Sequence, residues 1–221
     1  MPEPKSYASF EALGLRAGGE RITAISPPEI AWLLAAAAGL PVRRSLEVGF
    51  GLGYSAAALL HAGVEQHVTI ECEPGRLPLA RENAARAARP GQVLRVLEGP
   101  SDLVLPQLVI AGERFDLMLI DGGHRFDDVL VDSHFARFLV RPGGLMVLDD
   151  AKMAATRAVT SWIETNLSHV WKRGVVPPRF GRRYDFQFAV YRRTDDDDDA
   201  TPTGSRPWNR HRRFETFEDE N

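Results

Sequence analysis

The sequence predicts an α/β fold: a doubly wound, mostly parallel sheet with helices on both faces. Three observations predict it. Strand-like apolar runs alternate with helix-like runs from residue 42 to residue 166. A glycine-spaced turn, Gly49-Phe50-Gly51-Leu52-Gly53, joins the first strand to the helix behind it. After residue 167 the alternation stops, and two β-like runs follow with no helix between them. Alternation of this kind means parallel strands covered on both faces, and the final pair reads as an antiparallel hairpin.

The 221 residues suffice for one domain with a sizeable core, and 44% hydrophobic with 26% charged residues is an ordinary globular composition. No apolar run is long enough to span a membrane, and Met1-Pro2-Glu3-Pro4-Lys5 lacks the plan of a signal peptide, so a cytoplasmic protein is expected. The single cysteine, Cys72, excludes an intrachain disulfide. The net charge of −3 is uneven. Residues 195–221 carry nine acids and four arginines, a balance of −5 that leaves +2 for the rest. Three regions follow: a lead segment 1–25, a main domain 26–193, and an acidic tail 194–221 whose composition predicts disorder.

The elements follow in order. Ser26-Pro27-Pro28-Glu29 is a helix start, with a serine cap, prolines in the first turn and glutamate three residues on, and the helix runs to about Ala38. Strands are predicted over 42–48, 67–71, 92–97, 115–120 and 144–149. Helices are predicted over 54–62, 75–88, 101–110, 126–138 and 153–166. Gly63, Pro74, Pro90-Gly91, Gly99-Pro100, Gly112, Asp121-Gly122-Gly123 and Pro142-Gly143-Gly144 punctuate the junctions. The hairpin comprises Ser168 to Val176 and Tyr184 to Arg192 around Pro177-Pro178-Arg179-Phe180-Gly181.

Strand, glycine turn and helix make a Rossmann-like binding element. Glycine lets backbone approach a ligand closely, and the helix start offers unpaired N–H groups to an anion. The spacing is G-x-G-x-G, and Tyr54 stands where a dinucleotide fingerprint has its third glycine. In such sheets ligands bind beyond the carboxyl ends of the strands. The residues at those ends are Glu47 with Gly49, then Glu71, then Gly99-Pro100-Ser101-Asp102, then Asp121-Gly122-Gly123-His124, and last Asp149-Asp150. Glu71 lies at the distance where an acid reaches a ribose hydroxyl pair.

The blocks Leu46-Glu47-Val48-Gly49, Gly53-Tyr54-Ser55 and Thr69-Ile70-Glu71 resemble those of the class I S-adenosylmethionine-dependent methyltransferases. The stretches Leu97 to Leu108, Phe115 to Asp121 and Arg141 to Asp150 resemble the metal-dependent O-methyltransferases of the catechol and caffeoyl-CoA type. Asp121-Gly122-Gly123-His124 also resembles bacterial sugar O-methyltransferases acting on macrolides. The resemblance covers roughly residues 26–192. It implies a seven-stranded sheet ending in an antiparallel hairpin, with S-adenosylmethionine held by Glu47, Gly49, Gly51, Gly53, Tyr54, Ser55, Glu71, Gly99, Ser101, Asp102 and Asp121. Within that set it puts the methionine carboxylate on Ser55 and the adenine beside Ser101 and Asp102. It also implies a divalent cation, Mg²⁺ by type, on Asp121, Asp149 and Asp150, and His124 with Asp121 as the catalytic residues. Dimers are common in the resembled families.

The chemistry suits those residue types. A neutral hydroxyl is a poor nucleophile, and a hard cation on oxygen ligands lowers its pKa and fixes its direction. Imidazole titrates near neutral pH and suits removal of the acceptor proton. Each acid also has a plainer role: Asp121 suits the cap of the helix from Phe126, and Asp149 or Asp150 that of the helix from about Met153. A metal-independent methyltransferase acting on nitrogen or another acceptor, and a cofactor-binding or interaction protein without turnover, are the alternatives. The expected acceptor is a small hydroxylated molecule. The basic hairpin residues Lys172, Arg173, Arg179, Arg182, Arg183, Arg192 and Arg193, against the single acid Asp185, suggest an anionic one. A nucleic-acid partner is not expected, because the main domain is only slightly basic and no aromatics interleave the arginines.

Overall fold

The computed structural model describes residues 6–16, 25–174 and 187–194. The predicted acidic tail, and most of the loop inside the predicted hairpin with Arg179, Arg182 and Arg183, lie outside the described residues. The elements are α1 (Tyr7–Glu11), α2 (Pro27–Gly39), β1 (Arg44–Val48), α3 (Tyr54–Ala62), β2 (Gln66–Glu71), α4 (Leu77–Ala87), β3 (Val93–Glu98), α5 (Ser101–Ile110), β4 (Phe115–Ile120), α6 (Phe126–Leu139), β5 (Val140–Leu148), α7 (Ala154–Asn166), β6 (Trp171–Arg173) and β7 (Ala189–Arg193). They form one seven-stranded sheet in the order β3-β2-β1-β4-β5-β7-β6. The first five strands are parallel, and β7 pairs antiparallel with both β5 and β6, as the sequence predicts. Among the described residues no helix is long and apolar enough to cross a membrane.

The strand order reverses between β1 and β4, and a crevice opens there at the carboxyl edge. Two apolar layers hold the sheet. Leu46, Val48, Val68 and Ile70 pack on one side with α5, α6 and α7. Leu117, Leu119, Val147 and Val190 pack on the other with Trp32 and Leu33 of α2 and Leu59 of α3. Alanines 56, 57 and 58 of α3 are fully buried beside Ala80 and Ala84 of α4, where small side chains let the two helices approach closely.

Three features differ from the sequence prediction. The lead segment contains a short helix, α1, anchored by buried Phe10 and by a 3.1 Å hydrogen bond between Ser9 Oγ and His61 Nε2. The helix predicted from residue 75 begins with a 3₁₀ turn at Pro74–Arg76 before α4. Pro142-Gly143-Gly144 does not separate helix from strand. Strand β5 runs through it from Val140, with an irregularity in its pairing to β4 between Phe115 and Leu117. Asp116 lies at that irregularity. Its carboxylate accepts from the Arg43 and Arg44 amides at 2.6 and 2.9 Å and pairs with Arg141 Nε at 2.6 Å, tying β1, β4 and β5 at the edge opposite the crevice.

Candidate functional site

Backbone hydrogen bonds continue past the strand ends and align four loops on one edge. The Gly49 amide donates to Ile70 O at 3.0 Å, the Asp121 amide to Val48 O at 2.9 Å, the Asp149 amide to Ile120 O at 3.0 Å, and the Gly99 amide to Glu71 O at 2.9 Å. These loops enclose a cavity of about 750 Å³, in the size range of small-molecule sites.

The three glycines of the turn do different work. A Cβ on Gly49 would lie 2.1 Å from the Asp121 carbonyl oxygen, and one on Gly53 would lie 2.5 Å from that of Ala80. Both positions close the packing between neighbouring elements. At Gly51 nothing lies within 4 Å of such a Cβ, while φ is +52°. That position faces the open cavity, where a ligand can meet bare backbone. Glu71 braces the turn from β2. Its Oε2 accepts from the Phe50 and Gly51 amides at 3.1 and 3.0 Å, and its Oε1 from the Glu73 amide at 2.8 Å. A carboxylate has about four acceptor sites and three are taken here, so Glu71 retains capacity for one ligand hydroxyl.

Glu47 is fully buried beneath the turn and does not line the cavity. Its Oε1 accepts from the Ser55 hydroxyl, and its Oε2 lies 3.1 Å from His67 Nε2. His67 is itself fully buried, with Nδ1 2.8 Å from Ser45 Oγ. The structure thus places Glu47 in support of Ser55, which does line the cavity. Two further residues expected at the cofactor also stand off the cavity wall. Gly53 is spent on the α3–α4 packing, and Asp102 is an exposed first-turn residue of α5 outside the cavity wall. Gly49, Gly51, Tyr54, Ser55, Glu71, Gly99, Ser101 and Asp121 all line it.

The acidic end is formed by Asp121, Asp149 and Asp150. The Asp121 and Asp149 side chains hydrogen-bond to each other. Burial and the charge of Asp149 push the Asp121 carboxyl well above the ordinary carboxylate range, with Glu47 adding to the effect. Asp149 is pushed up to about 7 by burial and by the charge of Glu29. Asp149 Oδ1 also accepts from the Asp150 amide at 2.6 Å. Asp150 has φ +51° and is the one non-glycine residue with positive φ among the described residues. Strain of this kind concentrates at functional sites. It places Asp150 Oδ2 3.4 Å from His124 Nδ1. Ligand atoms of Asp121, His124 and Asp150 all lie within 4.8 Å of one another. None of the three aspartates caps a helix: α6 starts after Arg125 and α7 after Met153.

Sequence reasoning missed Glu29, which is buried in the cavity wall. Its Oε2 accepts from the Ser26 amide at 2.9 Å and from Ser26 Oγ at 2.6 Å, and its Oε1 from the Gln187 amide at 2.7 Å. The glutamate of the predicted capping box thus also ties α2 to the start of β7. It missed Asn83 as well, which is fully buried. The Asn83 Nδ2 donates to the carbonyls of Leu52 and Arg16 at 2.9 and 3.0 Å, and Oδ1 accepts from the Arg16 amide at 2.8 Å, tying the lead segment to the glycine turn. In α4, asparagine gives no pattern that distinguishes it from a surface residue.

Residues 46–151 match the family model of a methyltransferase domain. No curated protein matches the chain. Among solved structures, cofactor-bound Rv0187 from MTB is 26% identical with a TM-score of 0.61, covering 84% of this chain and 86% of that one. An O-methyltransferase from Bacillus cereus in complex with SAH is 19% identical with a TM-score of 0.64, covering 88% and 93%. The O-methyltransferase TomG from Streptomyces achromogenes, involved in tomaymycin synthesis and solved with SAM, is 22% identical with a TM-score of 0.61, covering 85% and 95%. The matched domain spans β1 to the Asp149–Asp150 loop and so contains the glycine turn, Glu71 and the acidic end. Residues 46–151 thus carry the pattern of a methyltransferase domain, set in the fold that these solved structures share.

Proposed function

We propose that this protein transfers the methyl group of S-adenosylmethionine to a hydroxyl of a small molecule, with a divalent cation held by Asp121, Asp149 and Asp150. The observation that carries the reading is the convergence of these three carboxyls, free of any capping role, at the end of the glycine-turn cavity. Such a cluster is short of positive charge, as the raised Asp121 and Asp149 carboxyls record, and oxygen donors of this type suit Mg²⁺.

When bound, the cofactor supplies an electrophilic methyl carbon, and the cation supplies acidification of the acceptor hydroxyl. The chain supplies the remaining functions. The glycine turn and Glu71 orient the nucleoside, with bare backbone at Gly51. The start of α3 and the Ser55 hydroxyl face the amino-acid end. Asp150 holds His124 by Nδ1, leaving Nε2 to take the acceptor proton. Ile25 and Met153 give the cavity wall apolar surface beside these polar groups.

The test is transfer of labelled methyl groups to catechols and sugar hydroxyls, with Mg²⁺ and with a chelator. Turnover that needs the cation supports the reading, and turnover confined to nitrogen acceptors contradicts it. The His124–Asp150 contact favours a second reading, in which this pair performs the proton transfer without a cation. Full turnover in chelator would select it.

A further inference from the structure

We propose that His67 is a positioning residue for the amino-acid end of the cofactor, acting through Glu47 on Ser55. The inference rests on the reading that the cavity binds S-adenosylmethionine.

Strands β1 and β2 each present a polar face and an apolar face. Leu46, Val48, Val68 and Ile70 enter the core on one side, while Ser45, Glu47, His67 and Thr69 alternate with them and point to the other, beneath α3. The parallel register sets Ser45 opposite His67 and Glu47 opposite Thr69. A hydrogen-bonded chain crosses this face from Ser45 Oγ to His67 Nδ1 at 2.8 Å, from His67 Nε2 to Glu47 Oε2 at 3.1 Å, and from Glu47 Oε1 to Ser55 Oγ. Ser45, His67 and Glu47 are each 0% exposed and Ser55 is 5% exposed. Only Ser55 of the four lines the cavity.

The direction of the last bond decides what the cavity sees. A serine hydroxyl has one proton and two lone pairs. Ser55 donates its proton to Glu47, so it presents lone pairs to a ligand. An ammonium group is matched by such an acceptor and a carboxylate is not. The carboxylate is left to the amides at the start of α3. This reassigns Ser55 from the carboxylate to the amino group.

His67 keeps that direction fixed. A carboxylate without solvent needs a partner for each oxygen. With His67 removed, Glu47 Oε2 is bare, and the carboxylate is no longer held in its orientation. Ser55 then loses its fixed acceptor, its proton becomes free to turn toward the cavity, and the ammonium site is lost. The nucleoside end is built from other parts, Glu71 and the Gly51 backbone, and is unaffected.

The test compares S-adenosylhomocysteine, which carries the amino-acid end, with 5′-methylthioadenosine, which lacks it. Affinities of both are measured calorimetrically for the wild type and for His67→Leu, His67→Gln and Ser45→Ala, with folding checked by thermal melting. His67→Leu is expected to weaken S-adenosylhomocysteine about tenfold or more, the scale of a lost hydrogen bond to a charged group, and to leave 5′-methylthioadenosine within about twofold. His67→Gln restores an N–H toward Glu47 and should recover most of the loss. Ser45→Ala, a small change that leaves the core filled, should weaken only S-adenosylhomocysteine, by a few-fold, and it carries the test if His67→Leu does not fold. Equal weakening of both ligands, or no change in either, overturns the proposal while the cofactor reading stands. Failure of the wild type to bind S-adenosylhomocysteine removes that reading and the proposal with it.

Discussion

The carboxyl groups of Asp121 and Asp149 hydrogen-bond to each other across the carboxyl ends of neighbouring parallel strands. Two carboxylates cannot do this without a shared proton, and burial together with mutual repulsion retains it. A cation arriving there displaces that proton. Cation affinity should therefore rise with pH, most steeply near 7, to which Asp149 is pushed. Mn²⁺ or Mg²⁺ titrations between pH 6 and about 8 check this. Affinity independent of pH would place the cation elsewhere.

The same pair links function to stability. Asp149 holds its proton in the fold up to about 7 but releases it in the unfolded chain near the ordinary value of 3.8. Stability of the metal-free protein should fall as pH rises through that window. Asp121→Asn keeps a hydrogen bond to Asp149 and removes one charge. It should melt higher than the wild type at about pH 8 in chelator, while methyl transfer with Mg²⁺ drops by roughly tenfold or more. Melting curves and turnover on the same samples separate the two effects.

A second buried acid offers a pH test away from the cavity. Asp132 of α6 is pushed up to about 7 by burial; the Ser101 hydroxyl opposes the shift, and the charges of Asp128 and Asp102 add to it. Because the folded value is raised, the fold is favoured below the window and penalised above it. Asp132→Asn should thus add on the order of 1–3 kcal/mol at about pH 8 and little at about pH 5, read by urea unfolding at both. A gain independent of pH would show that packing, not charge, is responsible.

The glycine turn predicts two kinds of failure. Gly49→Ala would place its Cβ against the Asp121 carbonyl oxygen and should cost more than about 3 kcal/mol, because backbone on both sides must move. Gly51→Ala meets no atom and has only its left-handed φ to bear, about 1 kcal/mol. Its loss should appear in cofactor affinity, where the added methyl enters the cavity. Thermal melting paired with a cofactor titration distinguishes the two variants.

Much of this was legible in the sequence because it depends on short-range signals. The alternation of strand and helix patterns, the glycine turn and the acids at strand ends predicted the sheet, the crevice and the three converging aspartates. What escaped depends on partners known only after folding. Ser45, Glu47, His67 and Thr69 occupy alternate positions in two buried strands, which signals a polar face, but only the parallel register shows that they meet. Glu29 read as a helix-start residue because its capping role is local, whereas its bond to Gln187 spans most of the chain. Helix α1 is too short to show a period, and its anchor, Phe10, is a single residue.

Calorimetric titration of S-adenosylmethionine into the purified protein tests the central claim most directly. The glycine turn, Glu71 and the start of α3 predict saturable one-to-one binding at roughly micromolar Kd, about −8 kcal/mol, weakened strongly by Gly51→Val. A folded sample that gives no binding heat, or binding that Gly51→Val leaves unchanged, would contradict the assignment of this cavity to the cofactor.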